Sequence, residues 1–191
     1  MKIYLADQAK SFPKHLEFLK RQDVIVYDIS KLSEKTSSIN IDTDKKLTDL
    51  DVGFFFNYNI FPGNIMTFLT QWKFEKRKMK IGDTIVQQAF IPPSRYFSQK
   101  IIFGVRINKI INESTKLGFS YETLKGHVEM GISTFTIEKP DSGGMIFKIH
   151  TFSKPGNLLT QLIAPIFSVP YQTFCTAQGL KNVKRQLERI S

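Results

Sequence analysis

From Thr84 to His150 the chain alternates apolar and polar side chains with a period of two, broken at intervals by turn residues. Thr84, Val86, Gln88 and Phe90 share one face of an extended segment, and Ile85, Gln87, Ala89 and Ile91 share the other. Pro92-Pro93 stops that strand. Ile101, Phe103, Val105 and Ile107 alternate with Gly104, Arg106 and Asn108, the pattern of a half-buried strand. Phe119 and Tyr121 then alternate with Ser120 and Glu122. Lys125-Gly126 is a turn signal, because glycine supplies the positive φ of a tight hairpin. A strand follows from His127 to about Glu138. Its apolar phase changes between Ile132 and Phe135, which predicts a bulge there or two partly buried faces. Pro140-Asp141-Ser142-Gly143-Gly144 is a strong turn, after which Met145, Phe147 and Ile149 alternate with Ile146, Lys148 and His150. Five successive strands joined by short links are mostly antiparallel.

Helical spacing flanks this block. Ser11 as N-cap, with Pro13 in the first turn, predicts a helix through Leu19. Ile65, Phe68, Leu69 and Trp72 recur on one helical face and predict a helix to about Lys78. Past Pro155-Gly156, a stripe of Leu158, Leu159, Leu162, Ile163 and Ile166 is helical, with Pro165 and Pro170 as kinks or breaks. Tyr171, Phe174, Val183, Leu187 and Ile190 continue the pattern, and Gly179 is its weak point. In the N-terminal third, Asp23–Ile29 reads as a strand, and the polar stretch 33–51 as a loop or an edge strand. One antiparallel sheet with helices on one side is an α+β fold. The expected organisation is a single domain over 1–191, with 1–58 poorly determined by pattern and 59–191 forming the core.

The chain has 191 residues, 41% of them hydrophobic. Its 17 phenylalanines exceed what ordinary core filling requires, and predict either a ring-lined cavity or a thick core between sheet and helix. One cysteine, Cys175, excludes an internal disulfide, and three histidines with one cysteine offer no zinc-ligand spacing. No metal or cofactor is expected. The apolar run at Met1–Asp7 is too short for a signal peptide, and no run is long enough to span a bilayer, so a soluble cytoplasmic protein is expected. The net charge is +10. Lys73, Lys76, Arg77, Lys78 and Lys80 form one basic cluster, and Lys181, Lys184, Arg185 and Arg189 another. Such clusters meet an anionic membrane surface or nucleic acid, or simply face water. No nucleic-acid motif accompanies them, so nucleic acid is the weaker expectation.

The string Gly118-Phe119-Ser120-Tyr121-Glu122-Thr123-Leu124-Lys125-Gly126-His127-Val128-Glu129-Met130-Gly131, followed by Phe135, carries the most specific signal. It resembles the signature of an uncharacterised bacterial and plant family, domain of unknown function nineteen-ninety. Gly82-Asp83-Thr84 and Phe152-Ser153-Lys154-Pro155 extend the resemblance over roughly 60–190. Lys125 and Val128 stand where that family leads one to expect prolines. The resemblance implies a helix-grip fold, a curved antiparallel sheet around a long C-terminal helix. That is the architecture of the START and birch-pollen-allergen-like, polyketide cyclase-like (SRPBCC-like) superfamily of apolar-ligand binders and cyclases. It implies no known reaction.

Two residues apart on a strand, His127 and Glu129 would share a face. They suit an acid/base pair or ligand hydrogen bonds, or else they tie down the hairpin through backbone groups. Arg106, Gln87, Gln88 and His150 sit on predicted strands and face either the cavity or water. The candidate ligand-binding set is therefore Tyr121, Glu122, Thr123, His127, Glu129, Arg106, Gln88 and His150. Cys175 reads as a small buried residue. No Gly-rich phosphate loop or Gly-x-Ser-x-Gly elbow is present. The expected function is binding of an apolar or amphipathic small molecule between sheet and helix. The alternatives are a cyclase- or hydratase-like enzyme using His127 and Glu129, and a peripheral protein on an anionic membrane surface.

Overall fold

A computed structural model describes residues 2–94, 96–140, 143–155 and 169–189. Eight strands form one curved antiparallel sheet. They are β1 (Lys2–Tyr4), β2 (Ser33–Ile41), β3 (Met66–Thr70), β4 (Thr84–Ile91), β5 (Gln99–Glu113), β6 (Lys116–Thr123), β7 (Glu129–Glu138) and β8 (Met145–Pro155). The order across the sheet is β2-β8-β7-β6-β5-β4-β3, with β1 paired to β5. The consecutive strands β3 to β8 form a meander, as short links between period-two segments require. Among the described residues the α-helices are α1 (Phe12–Lys20), the short α2 (Gly53–Phe56) and α3 (Gln71–Phe74), and the long α4 (Val169–Arg189).

Strand alternation sorts the core into two faces. Ile85, Val105, Ile107, Phe119, Phe135 and Phe147 point inward, where they meet α2 and Leu180, Val183 and Leu187 of α4. Val86, Ile102 and Leu124 point outward and pack beneath Phe12, Leu16 and Leu19 of α1. Rings fill much of the inner core. Phe55 of α2 lies 5.2 Å from Phe119 and 5.9 Å from Phe147, and Phe119 stacks on Phe135 at 5.4 Å. A large share of the aromatic excess is thus core packing. Gly179, the weak point of the helical pattern, is where α4 meets Phe61. A Cβ there would sit 3.0 Å from Phe61 Cε1, so the missing side chain allows the close approach.

Several expectations are corrected. The helix predicted over 65–78 is instead strand β3 followed by a single turn, α3. Both faces of β3 are apolar, with Phe68 against Tyr58 inside and Leu69 against the α1 cluster outside, and two-sided burial mimics helical spacing. Trp72 is nevertheless buried. Asp23–Ile29 forms no strand. Val24 makes one bridge to Leu124, and Val26 is 94% exposed. The polar stretch 33–51 contains a nine-residue edge strand, β2, paired along β8. Strand β7 keeps continuous register with both neighbours, so its phase change reflects two partly buried faces; the register shift lies in β5, between Ile107 and Lys109. Ser11 precedes α1 but makes no side-chain cap. Phe174 is 41% exposed rather than part of the core wall. Leu158, Leu159, Leu162, Ile163, Pro165, Ile166 and Ile190 lie outside the described residues.

Candidate functional site

The β6–β7 hairpin builds the candidate site. Gly126 takes φ +88° in the turn, as that tight reversal requires. Tyr121 and Thr123 leave β6 on the inner face, and Gly131 and Ser133 enter on the same face of β7. Thr123 Oγ1 accepts from the Gly131 amide at 3.0 Å, which ties the two strands together beside the turn. Gly131 itself has φ +146°, and a Cβ there would fall 1.9 Å from the Phe152 carbonyl oxygen, so the backbone conformation excludes a side chain.

His127 precedes β7 rather than lying on it. Its ring packs edge-on against Phe103 at 4.4 Å. Its Nδ1 lies 3.0 Å from both the amide nitrogen and the carbonyl oxygen of Glu129, accepting from the first or donating to the second according to the ring's tautomer. Burial pushes the imidazole down to about 4, which keeps it uncharged at neutral pH. The histidine thus braces the hairpin through the backbone of Glu129, and no bond joins the two side chains. The Glu129 carboxyl is pushed up to about 7 by burial. Among the described residues, no cation is recorded in an ion pair with it.

Beside Glu129 runs a line of neutral hydrogen-bonding groups. Tyr121 pairs across the strands with Ser133, and its ring lies 6.1 Å from that of Tyr58. Gln87 Nε2 donates to Tyr58 Oη, and Ser133 Oγ lies 3.3 Å from Thr151 Oγ1. Burial holds both phenols above their ordinary range. Tyr171 of α4 donates to the Phe90 carbonyl at 2.8 Å, pinning the helix to β4. Burial raises the Cys175 thiol to about 11, so it is no ready nucleophile.

Of the eight residues predicted from sequence, four gather here: Tyr121, Thr123, His127 and Glu129. The other four belong to the outer face. Gln88 Oε1 accepts from the Gln8 amide at 2.7 Å, and Gln88 Nε2 donates to Asp7 and Thr67. Arg106 Nη2 donates to the Leu19 and Lys20 carbonyls, closing the C-terminus of α1. Glu122 accepts from Tyr27 Oη at 2.6 Å. His150 Nε2 pairs with Glu34 at 2.8 Å. Alternation alone does not say which face is wet, so Gln87 and Gln88 were equivalent on the page of sequence. Tyr58 comes from a loop, at φ +66°, and no periodic pattern marks it. Among the described residues no group of His, Cys, Asp and Glu is placed to hold a metal ion.

The fold and this inner face define the class. The chain is a helix-grip α+β protein, with a curved antiparallel sheet closed by a C-terminal helix. It resembles the ginseng major latex-like protein 151 from Panax ginseng, at a TM-score of 0.52 and 13% identity, over 81% of this chain and 97% of that one. A hypothetical protein from Helicobacter pylori aligns at a TM-score of 0.50 and 10% identity, over 81% and 86%. The chain belongs to the family described as domain of unknown function DUF1990, whose model matches residues 55–182. It is also 27% identical over 188 residues to a UPF0548 protein of Dictyostelium discoideum, covering 87% of this chain and 82% of that protein. No described helix is long and apolar enough to cross a membrane.

Proposed function

We propose that the protein binds an amphipathic small molecule on the inner face of the sheet. Its polar end meets Glu129, Tyr121 and Ser133, and its apolar body lies along Phe103, Met66 and Val128. One observation carries this reading. Hydrogen-bonding groups line up in apolar surroundings, and the two titratable members, His127 and Glu129, are both biased toward their uncharged forms. Ligand sites commonly combine an apolar lining with a few placed polar groups. The pattern suits a ligand whose head donates and accepts hydrogen bonds without bringing a strong charge. Likeness of fold to a major latex-like protein is consistent with such a site but specifies no ligand.

Native mass spectrometry of the protein as purified, followed by organic extraction, tests the proposal. A stoichiometric adduct released by extraction is expected. Its absence, together with no uptake of dodecanol or dodecanoic acid, counts against the proposal. The raised Glu129 carboxyl beside Tyr121 favours a second reading, a cyclase- or hydratase-like enzyme in which Glu129 carries a proton near neutral pH. In that case the extracted molecule would be chemically altered on incubation with fresh protein, and Glu129→Gln would abolish the change.

A further inference from the structure

The segment between α3 and β4 forms a closed loop whose geometry has no role in the inner-face site. Gln71 Oε1 accepts from the Thr84 amide at 3.0 Å, joining the two ends. Inside the loop, Arg77 binds both carboxylate oxygens of Asp83, at 2.7 and 2.6 Å, and donates to Glu75 at 2.8 Å. The Lys80 amide donates to Asp83 at 2.7 Å. Lys76 and Gly82 take positive φ, +52° and +91°, where the chain reverses. One arginine thus engages both acidic residues of the segment and fixes its shape.

What remains points outward. Lys73, Lys76, Lys78 and Lys80 are exposed, and among the described residues none is recorded in an ion pair. Phe74 and Ile81 of the same loop are 49% and 66% exposed. From Lys73 to Asp83 there are five basic and two acidic residues, a net charge of +3. We propose that this loop docks the protein on an anionic lipid bilayer, with Phe74 and Ile81 entering the headgroup region and the lysines holding the surface. Exposed apolar side chains among lysines match such a surface in both charge and polarity. Nucleic acid fits less well. Phosphate contacts need no exposed isoleucine, and base stacking needs aromatic platforms of which the loop has one. The loop lies at the Thr84 end of β4, while Val128 packs near Ile91 at the other end. The proposal therefore stands apart from the ligand reading.

Flotation of the full chain with phosphatidylcholine vesicles, with and without phosphatidylserine and at low and high salt, tests it. Binding should require phosphatidylserine and weaken with salt. Lys73→Gln/Lys78→Gln should weaken partitioning on the order of thirtyfold, from about 1 kcal/mol per basic residue. Phe74→Ser/Ile81→Ser should weaken it at both salt concentrations, because the apolar share is not screened. All four side chains are exposed, so unchanged melting temperatures should show that the fold is intact. No binding to phosphatidylserine vesicles, or unchanged binding by the lysine variant, overturns the proposal. So does tighter binding to a single-stranded oligoribonucleotide that the same lysine variant abolishes.

Discussion

Replacing Glu129 by glutamine should stabilise the protein at high pH and leave it unchanged at low pH. In the unfolded chain this carboxyl titrates at its ordinary value of 4.5, and in the folded protein burial raises it to about 7. Between those values the folded state holds more protons than the unfolded one, so stability falls as pH rises. The loss begins above pH 4.5 and levels off once both states are ionised, above pH 7. At about 1.4 kcal/mol per pH unit, ionising Glu129 costs the fold about 3 kcal/mol, trimmed toward about 2 by its partial contact with water. Glutamine keeps the shape and cannot ionise. For a chain of this length about 2–3 kcal/mol corresponds to roughly 4–12 °C in melting temperature. Thermal melts of both proteins from pH 4 to pH 9 give the difference directly, since other titrating groups are common to both. A melting difference that stays constant across that range would show that Glu129 ionises freely in the fold.

Further outcomes follow from the packing. Gly131→Ala should cost more than Gly143→Ala. Both positions have positive φ, worth about 1–3 kcal/mol, but only at Gly131 does a backbone oxygen occupy the place of the Cβ; equal melting temperatures would contradict this. Asp83→Asn should cost about 3 kcal/mol in denaturant titrations, because it leaves Arg77 without its bidentate partner. Truncation before Pro170 removes the buried Leu180, Val183 and Leu187. At roughly 1.5–3 kcal/mol each, that loss rivals a stability of about 5–15 kcal/mol. The truncated chain should aggregate or lose its cooperative melt.

Sequence pattern revealed the meander β4–β8, because each of those strands has turn residues at its ends and an apolar face of period two. It missed β3, whose apolar residues face both α1 and the inner core. It left β2 undecided, because a polar edge strand has no apolar stripe to betray it. The apolar run within Asp23–Ile29 suggested a strand for which the sheet supplies only one bridge. At the site, the string from Gly118 to Gly131 located the hairpin and its titratable pair. The relation within that pair was hidden, since His127 reaches the Glu129 backbone only through the turn geometry. Ser133, Thr151 and Tyr58 carry no local signal. They join Tyr121 and Gln87 only because β6, β7, β8 and the loop after α2 converge on one face.

The most direct test of ligand binding on that face is a nuclear magnetic resonance titration of the labelled protein with dodecanol below its aggregation limit. Amide shifts should cluster at Phe103, Tyr121, Gly131, Ser133 and Thr151, and saturate at one equivalent. The carboxyl resonance of Glu129 should move with them. Shifts confined to the Lys73–Gly82 loop or to the exposed side of α4, or no saturable shifts at all, would contradict binding on the inner face.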